Sequence, residues 1–356
     1  MAGDALKLFS KAVSLYRKPA GGLADMFTTP RENIFDGTQI VFDLETVKEE
    51  LALERERGTG YNRVKATNWK EHTYTPPYYA EEMPLSAQRY NVRSFGQNEY
   101  DVSMSKNELL SRDIVINSAR LLDKMDRTRE KQVCDFFSEG SFTPSVGSAL
   151  SLGADSGNTA QVSTSWSNVA APAIDDIASL AENVRKTGKT EPNKLIFGDT
   201  AWSNFRKNTQ VKAELDNRRF EGPGLMTAEK VNGGYLVYHG QMTIKNFVFD
   251  LYTHSGVYQN NAGTYSKYIT ADYVLCVGPG QYENFYAGLD VLVDAPDNLR
   301  RIFTNAESMV ERQAMQFSVN LVTDKKRKTV SILAESSFIA IPKSINTFGR
   351  LKTTAP

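Results

Sequence analysis

Cysteine, histidine and net charge are all scarce in this chain of 356 residues. Its two cysteines, Cys134 and Cys276, lie far apart with no Cys-x-x-Cys pair. Neither a disulfide framework nor a thiolate zinc site is therefore supported, and a reducing cytoplasm is the default compartment. The three histidines, His72, His239 and His254, fall in different segments, and no His-Glu-x-x-His motif is present. Lys and Arg number 42 and so do Asp and Glu, giving zero formal net charge. That balance removes the polycation that counterion-release binding to a nucleic-acid backbone needs. No apolar run approaches the roughly 18 residues that would span a bilayer, and there is no Asn-x-Ser/Thr acceptor for glycans.

Signatures of catalysis are also missing. Gly188-Lys189-Thr190 ends like a phosphate-binding loop, but the first glycine of that loop would fall at Asn183. Gly278 and Gly280 begin like a dinucleotide fingerprint, yet its third glycine position is Glu283. No Gly-x-Ser-x-Gly elbow occurs. Asp175-Asp176 reads as a first-turn pair answering a helix dipole rather than as metal carboxylates. The reading is therefore of a non-enzyme, with no catalytic, cofactor-binding or metal residues expected and no cofactor. Cys134, inside a helix, and Cys276, inside an apolar strand, read as inert buried thiols.

What is present is a series of unlike segments. Near the start, Leu6, Phe9, Val13 and Tyr16 recur at helical spacing with Lys7, Lys11, Arg17 and Lys18 pointing elsewhere. A short stripe of this kind cannot bury itself and needs a surface to dock on. Gly21-Gly22 and Pro30 punctuate its exit. Residues 39–45 alternate like a half-exposed strand. From Thr46 to Lys70, acids (Glu49, Glu50, Glu54, Glu56) give way to bases (Arg57, Arg63, Lys65, Lys70) around a Gly58-Thr59-Gly60 turn, a pattern that predicts a long charged hairpin. Pro76-Pro77 then halts the ladder.

Ser105 with Glu108 gives a capping-box signature for a helix running toward Phe137 and stopping at Gly140. Leu110, Ile114, Leu121, Met125, Val133 and Phe136 form its apolar stripe, with Arg112, Asp113, Lys124, Asp126, Arg127, Arg129, Glu130 and Lys131 expected on the other side. At 1.5 Å per residue such a helix is about 50 Å long, a scaffold rather than a local element. Residues 138–167, rich in Ser, Gly, Thr and Ala, read as linker or as short strands and turns. A helix follows from Ala173, with Ile174, Ile177, Ala181 and Val184 on its apolar face and Gly188 closing it. Next come a strand over 194–198, a helix capped by Asp199 or Thr200, and a further helix from Val211. The last third reads as strands, among them 235–238, 243–252, 273–277, 289–293, 316–322 and 330–341. The class is α+β.

The order of these elements, with Leu195-Ile-Phe-Gly-Asp-Thr-Ala-Trp-Ser-Asn-Phe-Arg, Val211-Lys-Ala-Glu-Leu-Asp-Asn-Arg-Arg, Val237-Tyr-His-Gly-Gln, Tyr273-Val-Leu-Cys-Val-Gly and Tyr286-Ala-Gly-Leu-Asp, resembles the major capsid protein of lambda-like tailed bacteriophages. The resemblance implies the Hong Kong 97 type capsid fold. It implies an N-terminal arm over 1–40, an extended E-loop over 41–85, and a peripheral domain over 86–167 with its spine helix at 105–139. An axial domain over 168–305 and return strands over 306–356 complete the chain. The implied function is a shell subunit that self-assembles as hexamers and pentamers around double-stranded DNA without sequence-specific binding. One vertex would hold a portal, separate scaffolding and decoration proteins would be further partners, and no membrane is involved. Localisation would be the virion, with assembly in the host bacterial cytoplasm. Intersubunit contacts would come from the arm (Leu6, Phe9, Val13, Tyr16) and the E-loop (Glu54, Glu56, Arg57, Arg63, Lys65, Trp69, Lys70). A nanocompartment shell of the same fold is the alternative, and a soluble α+β enzyme or binding protein the more distant one.

Overall fold

The computed structural model describes residues 22–46, 68–85, 106–218, 229–231, 234–260, 262–294, 308–324 and 329–356. The expected stripe at residues 6–16, the Gly58-Thr59-Gly60 turn and the Ser105 cap lie outside them.

The helical stripe forms α1, Lys106–Glu139. It stops where Gly140 enters the left-handed region at φ 65° and its N–H reaches the Phe136 carbonyl at 2.8 Å. The buried arc of α1 is wider than the sequence stripe. Leu122, Cys134 and Phe137 are buried with Ile114, Leu121, Met125, Val133 and Phe136, and so are Asp126, Arg129 and Glu130. The expectation that these three charges face solvent is corrected. Separate apolar clusters pack around α1, so its C-terminal turns keep only a narrow solvent-facing row, Lys131, Asp135 and Glu139.

Strands β1 (Ile40–Thr46) and β2 (Asn68–Tyr74) pair antiparallel from Ile40↔Tyr74 out to Thr46↔Asn68. After Pro76-Pro77 the chain changes partners, and β3 (Tyr78–Leu85) joins a different sheet. The α/β unit then follows: α2 (Ala173–Gly188), β4 (Lys194–Phe197), α3 (Asp199–Lys207) and α4 (Thr209–Arg218). The remaining principal strands are β5 (Leu236–Ile244), β6 (Phe247–His254), β7 (Tyr273–Val277), β8 (Tyr282–Tyr286), β9 (Ser318–Asp324), β10 (Thr329–Pro342) and β11 (Phe348–Lys352).

Two sheets organise these strands. The larger runs 159–161, β11, β7, β4, β6, β5, 229–230, with β4 parallel to β6 and antiparallel to β7. Both of its faces are buried, so its central strands read as continuous apolar runs rather than alternating ones. Along β4, Leu195 and Phe197 face α2 and α3, whereas Ile196 faces the end of α1. Val274 and Cys276 against Leu275 and Val277 split the same way along β7. The smaller sheet is built on β10, which pairs with β3, β8 and β9. Its side chains Ile332, Ala334 and Phe338 pack on Ile114, Leu121 and Met125 of α1.

Three local expectations differ from the structure. Residues 243–252 are not one strand but a hairpin, with Ile244↔Phe247 paired and Lys245 at φ 51° in a two-residue turn. Only the polar pair Lys245-Asn246 interrupts the apolar stretch there, and no glycine marks the turn. At the start of α3 the N-cap is Gly198, and Asp199 forms an ion pair with Lys267 instead of capping. At the end of α2 the left-handed residue is Lys189, at φ 57°, one position beyond Gly188. Gly188 is required for a different reason: a Cβ there would lie 2.2 Å from the carbonyl oxygen of Asn346.

Candidate assembly interface and buried polar cluster

The β1–β2 ladder is rooted in the body on one face. Ile40, Phe42 and Leu44 are buried with Phe136, Phe285, Ile339 and Ile341, while Val41 on the opposite face is 42% exposed. The Tyr74 hydroxyl donates to the Ser148 carbonyl at 2.9 Å, and the His72 ring stacks on Phe42. The described ladder reaches Thr46 and Asn68, on either side of residues 47–67. Of the residues singled out for subunit contacts, Trp69 and Lys70 lie on β2 opposite Glu45 and Leu44. Leu6, Phe9, Val13, Tyr16, Glu54, Glu56, Arg57, Arg63 and Lys65 lie outside the described residues.

The N-terminal segment enters beside α1 and then runs along β8. Phe27 packs on Phe137 and Tyr282, and the N–H groups of Thr28 and Phe35 donate to the carbonyls of Tyr282 and Tyr286. Where it enters, a polar cluster sits in the interior. Glu130 of α1, 3% exposed, accepts the N–H of Leu23 on Oε1 and that of Ala24 on Oε2, each at 2.8 Å. His254 Nε2 lies 3.0 Å from Oε1, and Cys134 Sγ lies 3.9 Å from the same oxygen. Asp126 and Arg129, one turn earlier, pair at 2.6 Å.

Glu130, Cys134 and His254 offer three atoms of metal-ligand type within 4.8 Å of one another. Their hydrogen bonding points to a different role. The Gly256 N–H points at His254 Nδ1 at 3.3 Å, which makes that nitrogen an acceptor and assigns the ring proton to Nε2, facing Glu130. A histidine that ligates through Nε2 instead donates from Nδ1 to an outer acceptor. Both carboxylate oxygens are already engaged by backbone donors, and the chemistry of the donor set is that of an internal anion site. Sequence reasoning missed this cluster because the partners of Glu130 lie more than 100 residues away. A signal was available, since Glu130 stands one helical turn before Val133 and Cys134 and thus on their face.

Burial raises the Cys276 thiol well above the usual range, and burial together with the neighbouring Glu130 carboxylate raises Cys134. Both thiols should therefore resist iodoacetamide in the native subunit at pH 8, reacting at less than about a tenth of the rate of free cysteine. Both should label after denaturation, as mass spectrometry of the alkylated peptides would report. Rapid native labelling of Cys134 would contradict the closed cluster.

A long helix packed between two sheets, with a two-stranded ladder rooted beside it, is consistent with a capsid subunit of the Hong Kong 97 type, and comparison with known proteins bears this out. The chain is similar over its whole length to a solved structure of a candidate capsid protein from an E. coli CFT073 prophage, at a TM-score of 0.63 and 14% identity, with 98% of each chain covered. The family model described as Phage major capsid protein E matches residues 9–353, and the chain belongs to that family. Weaker likenesses include a structure from Mycobacterium phage Che8 (TM-score 0.45, 9% identity, 94% and 92% covered). Another is the SrpI encapsulin of Synechococcus elongatus (TM-score 0.44, 12% identity, 92% and 85% covered). Comparison with curated protein sequences gives no match. Among the described residues no helix is long and apolar enough to cross a membrane.

Proposed function

We propose that this capsid protein self-assembles as hexamers and pentamers into the icosahedral shell of a tailed phage, enclosing double-stranded DNA, with a portal at one vertex. Its role is structural and not enzymatic. The observation that carries the assembly reading is the β1–β2 ladder: it is anchored in the body by Ile40, Phe42 and Leu44, and in this reading it would present residues 47–67 to a neighbouring subunit. In this reading residues 41–85 are the E-loop and 1–40 the N-terminal arm; their roots pack on the subunit's own body, and residues 1–21 and 47–67 would be laid across neighbouring subunits. Residues 86–167 form the peripheral domain and 168–305 the axial domain. Residues 306–356 return to the peripheral domain through β9 and β10, and β11 completes the axial sheet. Leu6, Phe9, Val13 and Tyr16 would dock the arm. Glu54, Glu56, Arg57, Arg63, Lys65, Trp69 and Lys70 would meet an adjacent subunit, where many modest polar contacts permit correction of misplaced subunits.

Zero net charge suits this role, because a shell lining that gripped DNA by counterion release would oppose its movement. Scaffolding and decoration proteins are compatible additional partners, and the site of action is the virion after assembly in the host cytoplasm. Negative-stain microscopy of the expressed chain, alone and with a co-expressed scaffolding protein, should show closed shells. A species that stays monomeric under both conditions would contradict the reading. Nuclease-protected double-stranded DNA inside mature particles separates a virion shell from an enzyme-storing compartment.

A further inference from the structure

We propose that Glu130 is a latch that caps the N-terminal segment from more than 100 residues along the chain and fixes where the arm leaves the body. The 3₁₀ turn Leu23–Met26 begins with backbone N–H groups that need acceptors, and its N-cap, Gly22, has no side chain to supply one. Glu130 supplies both, one oxygen to each of Leu23 and Ala24. A third donor, the Nε2–H of the buried His254, completes the anion site from the end of β6. The imidazole is oriented in turn by the Gly256 N–H on Nδ1 and by the rings of Tyr235 and Tyr268 around it. One carboxylate thus joins three parts of the chain: the root of the arm, the spine helix and the axial sheet.

Gly22 carries the complementary half of the argument. A Cβ at this position would lie 2.3 Å from Glu130 Oε2, so a side chain at 22 and the capped geometry cannot coexist. The glycine that reads in sequence as mere punctuation before the arm is the clearance through which the carboxylate reaches its donors. Leu23, Ala24 and Phe27 also bury apolar surface against Val133 and Phe137, but apolar packing is non-directional and leaves the register of the segment loose. The charge sets the register. A buried carboxylate is tolerated only while its donors surround it, so the segment is either docked with both backbone bonds formed beside the bond from His254, or withdrawn with the carboxylate rehydrated. This two-state behaviour is what makes the contact a latch. Its consequence for assembly rests on the reading of residues 1–40 as an intersubunit arm, but the latch itself does not.

The test is hydrogen exchange by mass spectrometry on the unassembled chain at pH 7, comparing wild type with Glu130→Gln, Gly22→Ala and a half-buried carboxylate control on the same helix, Asp123→Asn. Glutamine puts an N–H₂ where an acceptor is needed, and alanine pushes the carboxylate away without touching the helix. Peptides covering 22–27 should exchange at least about tenfold faster in both variants, with 113–139 and 247–254 within about twofold of wild type and the control unchanged. Wild-type exchange at 22–27 in either variant would overturn the proposal. A comparable rise through 113–139 and 247–254 would overturn it too, because Glu130 would then be a general core residue. Should Glu130→Gln fail to fold, Gly22→Ala carries the test alone. Normal shells from Gly22→Ala with fast exchange at 22–27 would count against the arm reading and leave the latch standing.

Discussion

Replacing residues 47–67 by an Asn-Gly turn should leave a folded subunit that no longer forms shells. Thr46 and Asn68 are paired across the ladder, so a two-residue turn can close it there without disturbing the buried positions Ile40, Phe42 and Leu44. Shortening a surface connection lowers its closure entropy, and the thermal midpoint should stay within about 3 °C of wild type or rise slightly. Assembly should respond quite differently. A stable subunit contact of standard size buries about 1,600 Å², and losing an arm that supplies much of it should reduce particle yield at least about a hundredfold. Size-exclusion chromatography and negative-stain counts on the same preparation give both readouts. Abundant shells from the shortened chain would show that the hairpin is not what joins subunits. An insoluble chain would show that it is needed for the subunit's own fold, also against the proposal.

Phe137→Ala should be the most damaging single substitution in the body. Its ring meets Tyr282 edge-on at 5.5 Å and Phe348 at 5.2 Å, and lies 5.9 Å from Phe27. It is 1% exposed and stands where α1, the N-terminal segment, β8 and β11 converge. Truncating a buried phenylalanine costs about 3–5 kcal/mol, and lost aromatic pairs add ~0.5–1.5 kcal/mol each. Against a total stability of about 5–15 kcal/mol, that is enough to leave much of the chain unfolded at 37 °C. Urea unfolding of the unassembled subunit would measure it, with Phe137→Leu as the milder partner expected to lose roughly half as much, since most of its apolar volume stays. A loss below about 1 kcal/mol for the alanine variant would mean that the junction relaxes around the vacancy.

Much of this fold could be read from the chain, and the parts that could not share a physical cause. The spine helix was legible because Ile114, Leu121, Met125, Val133 and Phe136 keep a helical period and Gly140 can adopt the left-handed stop. The ladder was legible because residues 39–45 alternate and the charges beyond them cannot form a core. Strand order was not legible: β4 lies between β7 and β6, neither of them its neighbour in sequence, and periodicity carries no information about such pairings. The buried acid at position 130 was misread for the same reason. Local pattern placed it on a charged face, and only the backbone at 23 and 24 and the ring at 254 explain why a carboxylate belongs inside. The turn at Lys245 escaped because only two polar residues, Lys245 and Asn246, separate Ile244 from the apolar Phe247-Val248-Phe249 and no glycine lies between them, so two strands read as one.

The place of β11 in the large sheet bears on the timing of synthesis. β11 lies between β7 and the short strand at 159–161, yet it comes later in the chain than everything it joins. Until residue 352 has left the ribosome, β7 presents an open, apolar edge and the ring of Phe348 is missing from the junction around Phe137. A nascent or prematurely terminated chain is thus marked by an exposed edge that chaperones and proteases can recognise. Synthesis through β11 therefore decides when the large sheet can close.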